Sequence, residues 1–555
     1  MSYRPRTAHL LLFSFLSCTS KRGLSPANGI SSTGGSTQNA TTGGQLGTGG
    51  SGVADDLPGM SSGGAQTLVS EEPLGAAGAP QAAGESGLES EDEMVWAEWP
   101  PLGDLTLDEL TIVPNPNMTN SCVVSWKTES PATSEVQFGL GQWQYRIGDS
   151  ALSTEHELVV IGMRAEQTYR VLAISRNADH SGGAERGFET GELPYNLPSG
   201  SVRHADPSRM QPGWTLTNAN LGPSPTTNTV SSPAPPIGVI LDESGSVVWY
   251  HVLGDESDTR GDVPVELTPA GHILIGASAE TGPRAVDLAG NIVWRGPEQT
   301  GGPEPISHHI HALESGHYVL IRDTADGGAL IEEITAENEV AWSWSLLEHV
   351  DKPSDAPADW CHPNAVSTDI EQDAVYLNCR YQGLYKIQRA TGEILWHLGA
   401  ATDNLDGGDF SFIPDDSRFI DGHDPQLHEG GAVLIYDNQG YPRRTDNGSG
   451  HPRVVEYQMD AIALTATLTW EFPGNFQVDP WYTEVWEAPF WGDADRLENG
   501  NVLVTAGTRG PGRETRLFEV TREGDVVWEF AWPADIGSYR AQRFAPPGIE
   551  FLDAN

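Results

Sequence analysis

The sequence has little basic charge, few cysteines and no long apolar run outside its N-terminus. Its 31 Lys and Arg residues stand against 77 Asp and Glu residues, which gives a formal net charge of -46 at pH 7. So acidic a chain is a poor partner for nucleic acid or an anionic membrane surface, and neither is expected. Glycine, at 63 residues, and tryptophan, at 17, are abundant, which favours an all-β repeat protein over a helical one.

The first 18 residues have the pattern of an export signal. Arg4 and Arg6 precede an apolar run at residues 10–16, which is too short to span a bilayer as a helix. The Ser-Cys pair that ends at Cys18 resembles a bacterial lipoprotein cleavage site, although Phe15 stands where that motif favours Leu. We therefore expect an exported lipoprotein of the outer membrane or cell surface, whose membrane contact is a lipid on Cys18. Simple secretion, as a soluble periplasmic or extracellular protein, is the alternative.

Two segments separate this signal from the rest of the chain. Residues 19–94 consist mainly of Gly, Ser, Thr, Ala and acidic residues, with too little to bury for a domain, so we predict a disordered tether. Residues 100–196 change to short alternating strands. Trp126 on one strand and Tyr169 at a later corner resemble a fibronectin type III β-sandwich. We expect this module to position or space its neighbours.

A repeated hairpin dominates residues 205–550. Each copy has a turn followed by Val-Trp or a close variant, and the copies end at Trp249, Trp294, Trp342, Trp396, Trp470 and Trp528. A second hairpin lies between successive copies, which gives four strands per unit. We therefore predict an all-β protein whose main domain is a six-bladed β-propeller, preceded by the sandwich and the tether. Seven blades are an open alternative.

One position recurs at the start of a strand just ahead of a hairpin. The same spacing separates His423 from Gly430, His309 from Gly316, Asp493 from Gly500 and Pro264 from Gly271. His362 also fits, with a hairpin loop a few residues longer. Because the first strand of each propeller blade lines the central channel, we predict that His309, His362 and His423 face a common point.

Two further side chains strengthen this cluster. Asn364 lies on the same face of its strand as His362, because successive side chains alternate. Arg380 follows the partner strand of that hairpin. Arg offers a planar fork to paired oxygens, and His and Asn donate single hydrogen bonds, so the set suits an oxyanion such as sulfate or phosphate. A histidine can also act as nucleophile or as general acid and base.

A metal site is the competing interpretation of the histidines. Three of them could bind zinc, and His308 and His311 have the spacing of a ligand pair. The recurring position supplies no convergent carboxylate or Cys ligand, however, and Arg380 would repel a cation. We therefore expect no metal and no cofactor.

Cys361 and Cys379 flank the hairpin that follows His362 and fall almost opposite one another across it. In an oxidising compartment a cross-strand disulfide is plausible. Two unrelated buried thiols are the alternative.

Several short runs together are similar to the bacterial arylsulfate sulfotransferase (arylsulfotransferase, ASST) family. In chain order they are His308-His309, His362-x-Asn364, Asn378-Cys379-Arg380, Gly392-x-x-x-Trp396, Gly422-His423-Asp424, Tyr436-Asp437-Asn438, Arg496-Leu497-x-Asn499 and Ser538-Tyr539-Arg540-Ala541. The similarity extends over residues 213–545. Members of that family have a six-bladed propeller with an N-terminal β-sandwich, so the resemblance implies the same architecture.

The resemblance also implies a reaction. Family members move a sulfuryl group from a phenolic sulfate ester to a phenolic acceptor, without a nucleotide donor, through a sulfohistidine. By this resemblance the nucleophile is His423. His309, His362, Asn364 and Arg380 would hold the sulfate oxygens, and one histidine would serve the leaving phenol as acid. Two displacements at one nucleophile predict ping-pong kinetics.

Two other function classes stay open. Tandem modules on a surface tether also suit a non-catalytic adhesion protein that binds a carbohydrate or another protein. The Gly392 to Trp396 turn has a counterpart in quinone-dependent propeller dehydrogenases, although such a motif more often serves packing. The donor, the acceptor and the oligomeric state are not determined by the sequence.

Overall fold

The computed structural model describes residues 103–552 except for gaps at 198, 221–235, 254–263, 277–281, 299–305, 353, 355, 400–407, 440–451, 474–487, 489–490, 508–513 and 535. These residues belong to one compact unit, Glu98–Asn555. The export signal with Cys18 and the tether at residues 19–94 lie outside the described residues.

The first strands form a six-stranded antiparallel sheet. Its members are β1 (Asp108–Asn115), β2 (Met118–Gly139), β3 (Tyr145–Val160), β4 (Thr168–Arg176), β5 (Ser181–Glu189) and the late strand β32 (Ile549–Phe551). β1 pairs with the first half of β2 and β4 with its second half, while β3 pairs along both halves. The register of β2 against β3 shifts between Lys127 and Ala132, where the long strand changes partners.

Buried aromatic and aliphatic side chains from both halves of β2 share one core. Trp126 from the first half packs in the same cluster as Phe138 from the second. The indole Nε1 of Trp126 donates to Oγ of Ser175 over 2.8 Å. The hydroxyl of Tyr169 accepts the backbone N–H of Arg164, also at 2.8 Å. Trp126 thus links β2 to β4, and Tyr169 fixes the turn that leads into β4.

Six further sheets, called I to VI here, contain the remaining strands. In chain order these are β6 (Ser201–Ala205), β7 (Trp214–Ala219), β8 (Ile237–Leu241), β9 (Val247–Val252), β10 (Val265–Leu267), β11 (Ile273–Ile275), β12 (Arg284–Val286), β13 (Ile292–Arg295), β14 (Ile306–Ala312), β15 (Tyr318–Asp323), β16 (Ala329–Ile334), β17 (Val340–Ser345), β18 (Pro363–Asp369), β19 (Ala374–Cys379), β20 (Gly383–Gln388), β21 (Ile394–Gly399), β22 (Ser411–Ile413), β23 (Gly422–His428), β24 (Ala432–Asp437), β25 (Arg453–Asp460), β26 (Thr465–Phe472), β27 (Asp493–Arg496), β28 (Val502–Ala506), β29 (Arg516–Val520), β30 (Val526–Ala531) and β31 (Ala541–Phe544).

Most of these sheets take consecutive strands. Sheet II contains β10 to β13, sheet III β14 to β17 and sheet IV β18 to β21. Sheet V contains β23 to β26 with β22 beside β26, and sheet VI contains β27 to β30 with β6 beside β30. Sheet I has the order β31-β7-β8-β9, so it combines strands from distant parts of the chain. Pairing of β6 with β30 means that the repeat region begins at Ser201, ahead of the boundary expected at 205.

The tryptophans that marked the repeat all lie in the last of the four strands of their sheets. Five of them donate a hydrogen bond from the indole Nε1 to a backbone carbonyl of the next sheet: Trp249 to Leu288, Trp294 to Ala336, Trp342 to Arg389, Trp470 to Arg522 and Trp528 to Glu243. The last of these bonds leads from sheet VI back to sheet I. The five bonds therefore link sheets I to IV in order and sheets V, VI and I in order.

One edge strand of each sheet, called its inner strand here, is linked to the inner strands of the two neighbouring sheets in a closed cycle. In the order of sheets I to VI the inner strands are β31, β10, β14, β18, β23 and β27. Each link is one hydrogen bond between neighbouring inner strands: Leu267 N to Gln542, Ala312 N to Glu266, Val366 N to His309, Asn364 to the Gly422 carbonyl, Gln426 to Asp495, and Ala541 N to Asp493. Polar side chains on these strands consequently meet around one axis. This arrangement brings the recurring strand-start residues together.

Helix is scarce in the part of the chain described. It consists of 3-10 turns of three residues at Pro194–Asn196, Leu346–Glu348, Asp415–Ser417 and Glu429–Gly431. No described helix has the length and apolar character needed to cross a membrane.

Cys361 and Cys379 are joined by a disulfide, with their Cα atoms 4.7 Å apart. Cys361 lies just ahead of β18 and Cys379 ends β19, so the bond ties the start of one strand to the end of its neighbour. Cys122 is a buried free thiol in the core of the first sheet, and burial raises its pKa to about 12.

Candidate functional site

His423 is the second residue of β23, and it is 2 % exposed. Its Nδ1 lies 2.6 Å from Oδ1 of Asn438. The amide of Asn438 donates from Nδ2 to the carbonyls of Ala488 and Trp491, both at 2.9 Å. These two bonds fix Oδ1 toward the imidazole, and an amide oxygen can only accept. The proton of the neutral ring therefore lies on Nδ1, and Nε2 keeps its lone pair.

The surroundings of His423 also decide its charge. Burial lowers its pKa well below the ordinary value of 6.5, and the positive charge of Arg380 lowers it further. The hydrogen bond to Asn438 acts in the opposite direction but is outweighed. His423 is thus neutral at neutral pH, with an unprotonated nitrogen able to attack an electrophile.

His362 and His308 lie beside this nucleophile, and both contribute to lowering the pKa of His423. The ring centroids of His308 and His362 are 4.8 Å apart. Nδ1 of His362 lies 2.7 Å from Oδ2 of Asp359, which can accept its proton. The ring of Tyr381 packs 5.5 Å from His362. With Nδ1–H held by a carboxylate, Nε2 of His362 is the nitrogen that is free to exchange a proton with a substrate.

Arg380 supplies the fixed positive charge of the site. It follows β19 directly, is 6 % exposed, and its backbone N–H donates to the carbonyl of His362 over 3.0 Å. Its guanidinium lies over the Tyr381 ring, with Cζ 5.4 Å from the centroid. Nη2 is 3.5 Å from Oδ2 of the buried Asp421. A buried guanidinium anchored in this way can present a fork of donors to an oxyanion.

His309 does not join this group, in contrast to the expectation from spacing. The register of β14 against β15 shifts between Ile306 and Ile310, and His308 has a positive φ of 47°. This bulge breaks the alternation of side chains, so His308 and not His309 packs against His362. Nδ1 of His309 instead accepts the backbone N–H of Val366 at 3.0 Å.

Asn364 has protein partners at both ends of its amide, and its predicted role toward sulfate oxygens stays a prediction. It is fully buried, its Nδ2 donates to the carbonyl of Gly422 over 2.9 Å, and its Oδ1 accepts from Asn378 over 2.6 Å. The oxygen and one N–H of the amide are therefore occupied by the protein, and Nδ2 keeps a second N–H. Through Gly422, Asn364 fixes the residue that precedes His423 and helps to position the nucleophile.

Asn438 and His308 are functional candidates that the sequence reasoning did not select. Asn438 belongs to the Tyr436-Asp437-Asn438 run, and Tyr436 pairs with His423 across β23 and β24. The hairpin register therefore contained the signal for Asn438. His308 required knowledge of a bulge, which the sequence did not show.

A second polar layer lies against the first. It consists of the acid cluster (Glu266, Asp424, Asp493 and Asp495) with His309, His311 and Arg540. Arg540 contacts Oδ1 of Asp424 through Nη2 at 2.8 Å. Although burial opposes it, this ion pair lowers the pKa of Asp424. Burial raises the pKa of Asp493 well above its ordinary value, and that of Asp495 to about 7.

His309 and His311 share Glu266 in this layer. Nδ1 of His311 lies 3.1 Å from Glu266, and Nε2 of His309 lies 3.6 Å from it. Burial, followed by the charge of Arg540, lowers the pKa of His309 to about 4. Burial opposes protonation of His311 too, but Glu266 raises its pKa overall. The positive charge next to Glu266 is therefore carried by His311.

Comparison with known proteins gives one match at the level of families. Residues 200–540, more than half of the chain, match the family described as Arylsulfotransferase (ASST). The matched range contains every strand of sheets I to VI except β31, which begins at Ala541. Among curated proteins none matches this chain.

The solved structures that resemble this chain have low sequence identity and low TM-scores. A protein of unknown function from Bacteroides caccae is 14% identical, with a TM-score of 0.37, and the match covers 60% of this chain and 100% of that one. The β-propeller domain of Cps50 (Swd1) from Myceliophteria thermophila is 14% identical at a TM-score of 0.33, with 61% and 88% covered. A quinonprotein alcohol dehydrogenase-like protein from Bacteroides thetaiotaomicron is 11% identical at 0.30, with 76% and 94% covered. These scores carry no argument about activity.

Proposed function

Because the chain belongs to the arylsulfotransferase (ASST) family, we propose that it moves a sulfuryl group from a phenolic sulfate ester to a phenolic acceptor. The observation that carries the mechanism is the hydrogen bond of 2.6 Å between His423 and Asn438, which leaves Nε2 of a neutral, buried histidine unprotonated. No nucleotide donor and no cofactor take part.

In the first step Nε2 of His423 attacks the sulfur of the donor ester. A nitrogen–sulfur bond forms, and the bond between sulfur and the phenolic oxygen breaks. Nε2–H of protonated His362 gives its proton to the departing phenolate, and the carboxylate of Asp359, 2.7 Å from Nδ1, supports that protonated ring. The product is a sulfohistidine at His423 and a free phenol.

Charge on the sulfuryl oxygens is met by Arg380, with the imidazoles of His308 and His362 beside it. These donors are fixed in a buried site before the substrate arrives, which is the arrangement that stabilises a transition state most effectively. In the second step an acceptor phenol gives its proton to Nε2 of His362, and its oxygen attacks the sulfur. His423 is released in its starting form, so the two half-reactions are ping-pong.

We also propose that sheets I to VI are the blades of a six-bladed β-propeller. The closed cycle of hydrogen bonds between inner strands supports a ring of six, and the tryptophan bonds between sheets agree with it. The sheet of β1 to β5 would be a fibronectin type III-like sandwich, supported by the bond from Arg164 to the Tyr169 hydroxyl. Export and a lipid on Cys18 complete the proposal, and the disulfide suits an oxidising compartment.

The test uses a chromogenic aryl sulfate with and without an added phenol. We expect release of the chromogenic phenol to accelerate with acceptor, and mass spectrometry of the acceptor-free enzyme to find a sulfuryl group on His423. His423→Asn should abolish both. His156→Asn is the matched control, because it makes the same change at another buried histidine, which lies in the first sheet and has hydrogen bonds at both ring nitrogens. Transfer by His423→Asn at the wild-type rate would show that the nucleophile is misassigned.

A non-catalytic adhesion protein is not favoured by any observation in the described residues. A thermal shift with an aryl sulfate separates the two readings. A sulfotransferase gains stability from a ligand of its folded site, whereas an adhesion module for carbohydrate or protein has no reason to do so.

A further inference from the structure

Three carboxylates of the acid cluster converge on one point. One oxygen each from Asp424, Asp493 and Asp495 lies within 4.8 Å of the others. Asp493 and Asp495 lie two residues apart on β27, so both point to the same face, and Asp424 comes from the neighbouring strand β23. The carboxylates thus bridge two adjacent inner strands, one of which carries His423.

Unpartnered polar atoms lie at this same point. Oδ1 of Asp493 accepts no hydrogen bond from a nitrogen or hydroxyl donor among the described residues, and this side chain is 2 % exposed. The carboxyl groups of Asp493 and Asp424 lie within hydrogen-bond reach of one another. The hydroxyl of Thr505 lacks a partner among the described residues and is fully buried. Thr505 pairs directly with Asp493 across β27 and β28, so the two side chains share one face of the sheet. Buried groups of this kind are costly unless something binds them.

The four carboxyl groups of the acid cluster also differ in their partners. Arg540 pairs with Asp424, and His311 pairs with Glu266. Within the described part of the chain, Asp493 and Asp495 form no ion pair with a basic side chain. Gln426 donates its amide to Asp495, and the backbone N–H of Ala541 donates to Asp493. Asp493 and Asp495 thus receive hydrogen bonds from amide groups but have no basic partner of their own among the described residues.

We propose that Asp424, Asp493 and Asp495 bind a divalent cation, with calcium preferred. All ligands are oxygens, which suits a hard cation rather than zinc. The oxygens lie within 4.8 Å of one another, close enough to share one ion. Magnesium usually keeps several of its waters, whereas calcium accepts a set of protein oxygens in flexible geometry, so a site built from side-chain oxygens favours calcium. The Thr505 hydroxyl and Oδ1 of Asp493 are further oxygens on the same face of the sheet.

The cation would tie β23 to β27 directly behind the nucleophile. Asp424 follows His423 in the chain, and its φ of 43° marks the bulge that directs the two side chains to different layers. An ion at Asp424 holds that bulge in place and so helps to position His423. The sequence argued against a zinc site built from histidines at the recurring position. The site proposed here uses carboxylates instead: Asp493 occupies the recurring position on β27, Asp424 follows His423, and Asp495 lies two residues after Asp493.

The test measures binding and not activity, so its outcome is independent of the proposed reaction. Full-length protein is stripped with a chelator and titrated with calcium chloride, and then with magnesium chloride, by calorimetry. We expect one calcium site, weaker binding of magnesium and a calcium-dependent rise in the unfolding temperature. His423→Asn should keep this response. Wild-type protein without a saturable calcium site would overturn the proposal.

Variants locate the site. Asp495→Asn should weaken calcium binding at least tenfold, because it removes one charged ligand. Asp242→Asn is the matched control, since it removes the same charge from a buried aspartate in sheet I, and it should bind calcium like the wild type. If Asp495→Asn fails to fold, Thr505→Val changes one buried atom next to Asp493 and should still weaken binding. Unchanged affinity in the folded variant would place the calcium on the acidic surface and refute the site.

Discussion

Replacing Asn438 with alanine removes the acceptor that holds the Nδ1 proton of His423. The bond is 2.6 Å long and buried, and a buried donor left without a partner costs about 1–3 kcal/mol. The ring can avoid that cost by moving its proton to Nε2, the nitrogen that must attack sulfur. The reactive tautomer is then disfavoured by about the same free energy. We expect kcat/KM for the donor ester to fall about 5- to 150-fold, since about 1.4 kcal/mol corresponds to tenfold.

The assay follows the burst of phenol in the first half-reaction, together with sulfuryl labelling by intact mass. Asn501→Ala is the matched control, because its buried Nδ2 also donates to two acceptors, the Arg209 carbonyl and Glu519, but at no histidine. It should lose stability and keep its rate per folded molecule. If Asn438→Ala is folded and its burst rate stays within twofold of wild type, the hydrogen bond does not select the tautomer.

Two further predictions concern pH and redox state. Because the folded-state pKa of His423 lies well below 6.5, the nucleophile stays neutral on mild acidification. The burst rate should therefore persist below pH 6.5, and a loss centred at or above 6.5 would contradict the assigned environment. The same shift makes the unfolded state bind more protons, so this contribution to stability is complete above pH 6.5 and declines as the pH falls below it. The double variant Cys361→Ser, Cys379→Ser removes the disulfide that closes a loop with a sequence separation of 18. Its free energy of unfolding, measured by denaturant melts, should be about 3 kcal/mol lower than that of the oxidised wild type. Equal stability of the two proteins would contradict this.

The order of the sheets was accessible from sequence because it depends on local signals. Turn glycines and strand-end tryptophans recur at a spacing set by the length of a hairpin, and each acts within its own unit. The placement of His362, Arg380 and His423 near one another followed from that repeat. Their assignment to chemistry required the family resemblance, since spacing alone treats the histidines as equivalent.

What the sequence did not yield depends on contacts between units or on a broken alternation. The bulge in β14 places His308 rather than His309 against His362, and no local residue pattern predicts that bulge. The amide of Asn364 is occupied by Gly422, a residue of the next sheet. The acid cluster draws on three inner strands, and acidic residues are so common in this chain that no single one stands out.

The strand order of sheet I has a consequence for folding during synthesis. β7 cannot pair with β31 until the C-terminal part of the chain is made, because Thr217 pairs with Ala541, which is synthesised more than 300 residues later. Arg540, which contacts His309 and Asp424, arrives with that same strand. A growing chain therefore holds an unpaired inner edge until its C-terminal residues emerge, and long-range closure of this kind is slow. The polar layer behind His423 is therefore among the last parts of the fold to be completed.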